Sequence, residues 1–360
     1  MRCHIGAIMK RLLCLGIAGT FVAAMAQAQD ARAPFTAGTA SAPRGQRAYG
    51  ALKVPAGSDA ATDIGVVVIN GVRPGPALAI VAGSHGTEYA SIIAVEKLID
   101  AVDPAQLSGT LVLVPLVNVP SFEQMVPHLN PVDGKNMNRF YPGNPAGSQS
   151  ERAASVITRE IVEKCDHLID FHGGDLDESL RPYSYWTVTG NAKQDEASKQ
   201  LVLAFGLDHI IIAADRPRDP AQSRYLENTA STRGKPSFAA EAGHAGTVET
   251  DDVDALVNGS LNVMRYLRML PGTAKLVDHP VWIEKLANVT SEQNGIFYPL
   301  AKRGTYVEKG MKVGYVTDYV GRVIAELRSP DGGVITYIRA VPSLKKGDTV
   351  ANVGVVRKTE

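Results

Sequence analysis

Two periodicities alternate along most of this chain. Residues 64–69, 77–82, 110–117, 167–171, 209–213 and 237–240 are short, near-continuous apolar runs of strand length. Between them lie stretches with helical spacing: Ile92, Val95, Ile99 and Val102, then 151–164, 193–205 and 253–270. Pro104 follows the first of these and Pro271-Gly272 closes the last. Strands that are apolar throughout and separated by helices predict an α/β fold, with a mostly parallel or mixed sheet covered by helices. From about residue 276 the runs are short and β-like, Gly and Pro are frequent, and no helical period survives. That change predicts a separate small all-β domain over 276–360 behind an α/β domain over 51–275.

The N-terminus is a different kind of sequence. Arg2, Lys10 and Arg11 precede an apolar run over 12–25, and Ala26-Gln27-Ala28 supplies a small-x-small site. The pattern predicts a signal peptide over 1–28, cut after Ala28, and hence a periplasmic or secreted protein. The cut removes Cys3 and Cys14 and leaves Cys165 alone among apolar neighbours, so the mature chain forms no internal disulfide. Residues 29–50, rich in Pro, Gly and Ala, read as a poorly ordered lead-in.

Composition narrows the function only by exclusion. The 360 residues are 45% hydrophobic and 21% charged, enough for one large or two ordinary domains. Thirty-seven basic residues balance thirty-seven acidic ones, which leaves no basic excess for nucleic acid. No later segment is long and apolar enough to span a membrane.

The chemistry is concentrated at strand ends. The run 77–82 leads into Gly83-Ser84-His85-Gly86-Thr87-Glu88, the run 167–171 into His172-Gly173-Gly174, and the run 237–240 into Glu241-Ala242-Gly243. Ligands of open α/β sheets gather outside the carboxyl ends of the strands. Three strands therefore deliver two His and two Glu to one edge. Two imidazoles and a carboxylate leave a fourth position open, as a catalytic zinc requires. Asp170, two residues before His172, shares its side of the strand, where it could orient a metal-bound imidazole or cap a loop. A loop carrying Lys135, Asn136, Asn138, Arg139 and Tyr141 gathers polar donors and aromatics, and an Arg fork suits a carboxylate.

Taken together, Gly-x-His85-Gly-x-Glu88, Asn138-Arg139, Asp170-x-His172 and Glu241-x-Gly resemble the succinylglutamate desuccinylase/aspartoacylase family, itself similar to zinc carboxypeptidases of the M14 type. The resemblance covers roughly residues 64–270. It implies a zinc carboxypeptidase-like fold and one Zn2+ per chain on His85, Glu88 and His172. It further implies Glu241 as the general base and Asn138 with Arg139 as substrate-binding residues. The family's further Arg, expected eight residues before Arg139, is replaced by Pro131; Lys135, His244 and Tyr141 are the neighbouring candidates for the site. The resemblance makes residues 51–275 the zinc hydrolase catalytic domain. Residues 276–360 are similar to the small, barrel-like β domain of biotinyl/lipoyl type that follows it in many family members, placed to border the cleft or an oligomer interface.

The expected activity is hydrolysis of the amide bond of a small N-acyl amino acid. The alternatives are an M14-type carboxypeptidase acting on short, possibly cell-wall peptides, and a zinc protein that binds without catalysis. A β domain that closes the cleft favours the first and an open groove the second. The expected partners are small molecules, with no nucleic acid, no membrane span after cleavage, and room for a homo-oligomer.

Overall fold

The computed structural model describes residues 33–357. The expected signal peptide over 1–28 lies outside the described residues. The lead-in expectation for 29–50 is corrected over its described part. Strands β1 (Phe35–Ala37) and β2 (Ala40–Ala42) form an antiparallel hairpin, and β3 (Gln46–Val54) begins inside the same stretch. Ala37, Ala40 and Ala42 are fully buried. Small apolar residues that look like loop composition are here the ones that fit a close-packed layer.

Strands β4 (Thr62–Asn70), β5 (Arg73–Val81), β6 (Ser108–Val114), β7 (His167–His172), β8 (Glu178–Thr187), β9 (His209–Ala213) and β10 (Ser237–His244) carry the α/β part. Its helices are α1 (Tyr89–Ala101), α2 (Val119–Gln124), α3 (Gln149–Ile157), α4 (Ala192–Phe205), α5 (Leu226–Ser231) and α6 (Thr250–Tyr266). The C-terminal part adds β11 (Val281–Thr290), β12 (Gly295–Pro299), β13 (Tyr306–Val307), β14 (Lys312–Thr317), β15 (Val323–Arg328), β16 (Gly333–Arg339), β17 (Ser343–Leu344) and β18 (Thr349–Val356).

The main sheet is mixed and runs β13-β16-β18-β11-β9-β8-β10-β7-β5-β6-β4-β3. Parallel pairs join β5 to β6, β5 to β7 and β7 to β10; β8 runs antiparallel to β10. Both faces of the sheet are covered. In β5, Leu78 and Ile80 face one core with α1, α4 and α6, while Ala79 and Val81 face a second with the β1–β2 hairpin and α3. A strand that must be apolar on both sides shows no alternation, which is why these runs read as continuous.

Strand β8 is not evident from hydrophobic periodicity. It contains Pro182, which argues against a central strand. The structure accommodates it in a bulge: Glu241 pairs with Tyr183 and Gly243 with Leu180, so β8 carries one extra residue there and the proline needs no ladder donor.

Hydrogen bonding does not stop at the expected domain boundary. β11 lies parallel to β9, and β16 pairs antiparallel with β8, so C-terminal strands continue the main sheet. A further four-stranded sheet, β15-β14-β12-β17, packs its own core around Phe297, Val316, Ile335 and Val353. Among the described residues no helix is long and apolar enough to cross a membrane.

Phe238 on β10 is fully buried, with its ring 5.2 Å from that of Phe205. Phe238→Ala is expected to cost roughly 3–5 kcal/mol, measured as a shift of the denaturant unfolding midpoint with an unchanged slope.

Candidate active site

The site is built where β5, β7 and β10 turn outward. After β5 the chain makes a turn through Gly83 to Gly86, bringing His85 and Glu88 to one point. A Cβ on Gly86 would lie 2.4 Å from the Phe122 backbone nitrogen, so only glycine fits the approach. Glu88 is the N-cap residue of α1, yet its side chain makes no capping bond. It turns instead into the site, where the positive end of the helix dipole favours a carboxylate. His172 ends β7, and Gly173 follows with φ +132°; a Cβ there would meet Ala242 nitrogen at 2.4 Å. That contact keeps β7 and β10 close, with His172 paired to Glu241 in register.

The side chains of His85, Glu88 and His172 are buried, and one ligand atom from each lies within 4.8 Å of the others. The Nδ1 atoms of both imidazoles converge on Glu88: His85 at 2.7 Å from Oε1 and His172 at 3.0 Å from Oε2. Gly173 N–H also donates to Oε2 at 3.0 Å. On the far side of the rings, His85 Nε2 donates to Asn136 Oδ1 at 3.1 Å, and His172 Nε2 lies 3.2 Å from Asp170. Burial raises the Glu88 pKa, but the two imidazoles outweigh it and hold the carboxyl below its usual range. Burial lowers His172, and Asp170 with Glu88 override it and raise the imidazole well above its ordinary value. Two ring nitrogens aimed at one buried carboxylate, each ring braced from behind, suit a divalent cation in place of shared protons. The cluster can bind a metal.

Glu241 lines the same cavity. Burial raises its carboxyl well above the ordinary range, opposed by His172 and reinforced by Glu88, Glu178 and Asp170. Arg139 also lines the cavity; its guanidinium donates to the Asn138 carbonyl at 2.7 Å and sits 4.9 Å from the Tyr225 ring centroid. Among the described residues no carboxylate pairs with it. Asn138, expected to bind substrate, also lines the cavity. Its Nδ2 reaches His172 Nε2 at 2.9 Å and its Oδ1 accepts from Leu226 N–H at 3.0 Å.

The remaining candidates are not brought in. Lys135 is committed to Glu151 at 2.6 Å, and neither it, His244 nor Tyr141 lines the cavity. Cys165 is buried away from the site, its thiol pushed up to about 12 by burial. Sequence reasoning missed Arg216, which lines the cavity 4.0 Å from the Tyr225 centroid and bonds Glu227 at 3.1 Å. It also missed Glu178 and Tyr337. None of these stands in a motif or at the end of a recognisable strand; the site's tertiary closure gathers them. The cavity measures about 390 Å³, and Tyr337, Thr349 and Asn352 from the C-terminal strands supply part of its wall.

The sequence and fold recur in a family of hydrolases that includes deacylases. More narrowly, the sequence model of the succinylglutamate desuccinylase/aspartoacylase catalytic domain matches residues 74–267, and the chain belongs to that family. It is 28% identical over 319 residues to N-alpha-acetyl-L-2,4-diaminobutyric acid deacetylase from Halomonas elongata, covering 86% of this chain and 91% of the relative. The product-bound ectoine utilization protein EutE (DoeB) from Ruegeria pomeroyi superposes with a TM-score of 0.79 at 24% identity, covering 90% of this chain and 99% of that one. A succinylglutamate desuccinylase/aspartoacylase from Rhodobacter sphaeroides gives 0.77 at 22% identity, over 92% and 98%. These two superpositions show that the fold extends through the C-terminal strands.

The expectation of a periplasmic or secreted location is corrected. The segment it rests on is outside the described residues, and neither the described structure nor the matched relatives support export. A short apolar run behind basic residues is a local pattern that many chains carry by chance.

His128 stands beside the site, hydrogen-bonded to Asp177 at 2.8 Å and 3.2 Å from Asp175. Burial lowers its pKa, but Asp177, Asp175 and Glu178 together raise it to about 9. A raised imidazole contributes stability that is complete below its unfolded value of roughly 6.5 and is lost as pH rises through the folded value. In chelated protein, Tm is expected to fall between about pH 6.5 and pH 9.5, and His128→Gln should show a smaller fall from a lower starting point.

Proposed function

We propose that this chain is a zinc-dependent deacylase that hydrolyses the amide bond of a small N-acyl amino acid. The observation that carries the reading is the convergence of His85 Nδ1, His172 Nδ1 and the Glu88 carboxylate in one buried cluster, with Glu241 in register beside His172. Two imidazoles and one carboxylate with an open side suit zinc. When bound, zinc supplies Lewis acidity to a water and to the scissile carbonyl.

The chain's own residues do the rest. Asp170 holds the His172 ring from behind, and Asn136 holds that of His85. Glu241 takes a proton from the attacking water and returns it to the amine nitrogen as the C–N bond breaks, leaving a carboxylate and a free amine. Its raised carboxyl pKa suits a group that must both accept and give back a proton. Arg139, with no carboxylate partner among the described residues, holds the substrate carboxylate through its fork. The relative named as a diaminobutyric acid deacetylase supports the deacylase class.

The cavity favours a small substrate over a peptide. Its volume of about 390 Å³ is near the low end of ligand pockets (roughly 300–1,000 Å³). Tyr337, Thr349 and Asn352 from the C-terminal strands form part of its wall.

Purified protein should carry one zinc per chain, lose hydrolysis of an N-acetyl amino acid panel on chelation, and regain it with zinc. Glu241→Gln should keep the zinc and lower kcat by roughly 10²–10⁴-fold. Undiminished turnover in that variant sinks the mechanism; a metal-free, inactive but folded protein that refuses zinc sinks the class.

A further inference from the structure

Glu178 is a cavity-lining carboxylate that the mechanism does not use. It opens β8, while Tyr185, covered by Arg216 at 5.3 Å, stands near the other end of the same strand. Tyr183, paired with Glu241, lies between them. The β8 bulge makes this possible: it lets Glu178 and Leu180 face the cavity along with Tyr183 and Tyr185, although strict alternation would turn one pair away. One end of the cavity therefore presents Arg139 and Arg216 around Tyr225, and the other presents Glu178.

Among the described residues no Lys, Arg or His lies within ion-pair distance of Glu178. The nearby cations are taken: His128 is held by Asp175 and Asp177, and Arg339, opposite Glu178 in the β16 pairing, binds Asp177 and Asp348. Among the described residues the Glu178 carboxylate accepts one hydrogen bond, from Asp175 N–H at 3.4 Å. Nor is Glu178 part of the ligand cluster formed by His85, Glu88 and His172. Burial, with Glu88 and Asp175 nearby, raises its carboxyl to about 7 despite His128 and His85. A group in that condition gains from any cation brought beside it.

Resting on the deacylase reading above, we propose that Glu178 is a specificity-determining residue that selects substrates bearing a cationic group in addition to the carboxylate held at the arginine end. The ligand class is a zwitterionic N-acyl amino acid with an ammonium group. The ammonium can sit on the amino-acid side chain, which branches away from the held carboxylate at Cα, or on the acyl group, which lies across the scissile amide from it.

The test compares kcat/KM for matched pairs: Nα-acetylornithine against Nα-acetylnorleucine, Nα-acetyl-2,4-diaminobutyrate against Nα-acetylnorvaline, and β-alanyl-norvaline against butyryl-norvaline. Wild type should prefer the cationic member of at least one pair by about tenfold or more, and which pair does so assigns the ammonium to side chain or acyl group. In Glu178→Gln that ratio should fall towards one, while the uncharged member keeps its kcat/KM within about threefold. Should the Gln variant fail to fold, Glu178→Asp, which keeps the charge on a shorter stem, should lower the ratio part-way.

A ratio unchanged by either substitution overturns the proposal, as does a wild type that hydrolyses both members of every pair equally. Turnover of no substrate would instead defeat the deacylase reading. Calorimetric binding of the same pairs then still decides on Glu178: tighter binding of the cationic member, lost in Glu178→Gln, supports it, and equal binding overturns it.

Discussion

The site depends on one carboxylate being reached from two directions. Glu88 offers one oxygen to His85, three residues before it, and the other to His172, which arrives on a different strand. For both imidazoles to present Nδ1, β5 and β7 must be parallel neighbours, and the turn after β5 must be tight enough to bring His85 back onto Glu88. The glycines at 86 and 173 meet that demand by leaving room for backbone where a Cβ would clash. Burial of the whole cluster then sharpens every charge interaction within it. The same arrangement that costs desolvation without a metal becomes a pre-organised donor set with one.

Around that centre the protein sorts its charges by distance from the carboxylate. Asp170 acts on the back of His172, and Asn136 on the back of His85, so ring orientation is fixed before any ligand arrives. Glu241, on the strand next to His172, sits among other carboxylates and is held partly towards its protonated form. The arginines at the Tyr225 end are farther out, where a substrate's charge can reach them without neutralising the centre. Arg216 is itself oriented by Glu227 through Nε, which leaves the rest of its fork at the cavity.

Closure of the cavity is the work of the C-terminal strands. Because β16 pairs with β8 and β11 with β9, this part is joined to the catalytic part by backbone hydrogen bonds. Tyr337 and Asn352 are thereby held at the cavity wall rather than hung on a loop. The sheet that positions the site thus also supplies part of its wall.

The sequence by itself determined the α/β alternation, the strand ends and the residue types placed there, because a buried parallel strand must be apolar on both faces and a turn must follow it. His85, Glu88, His172 and Glu241 were legible for that reason, and the family resemblance added roles to positions already singled out. Composition misled over 29–50, where alanines that pack look the same as alanines that do not. Strand β8 stayed hidden because Pro182 breaks the strand signal and only its partner β10 reveals the bulge that accommodates it. Tertiary structure alone decided that Asn138 would lie against His172 at the cavity wall, that Lys135 would be spent on Glu151, and that Glu178 and Arg216 would meet in one cavity. Those outcomes depend on which distant segments become neighbours, a quantity no local periodicity encodes.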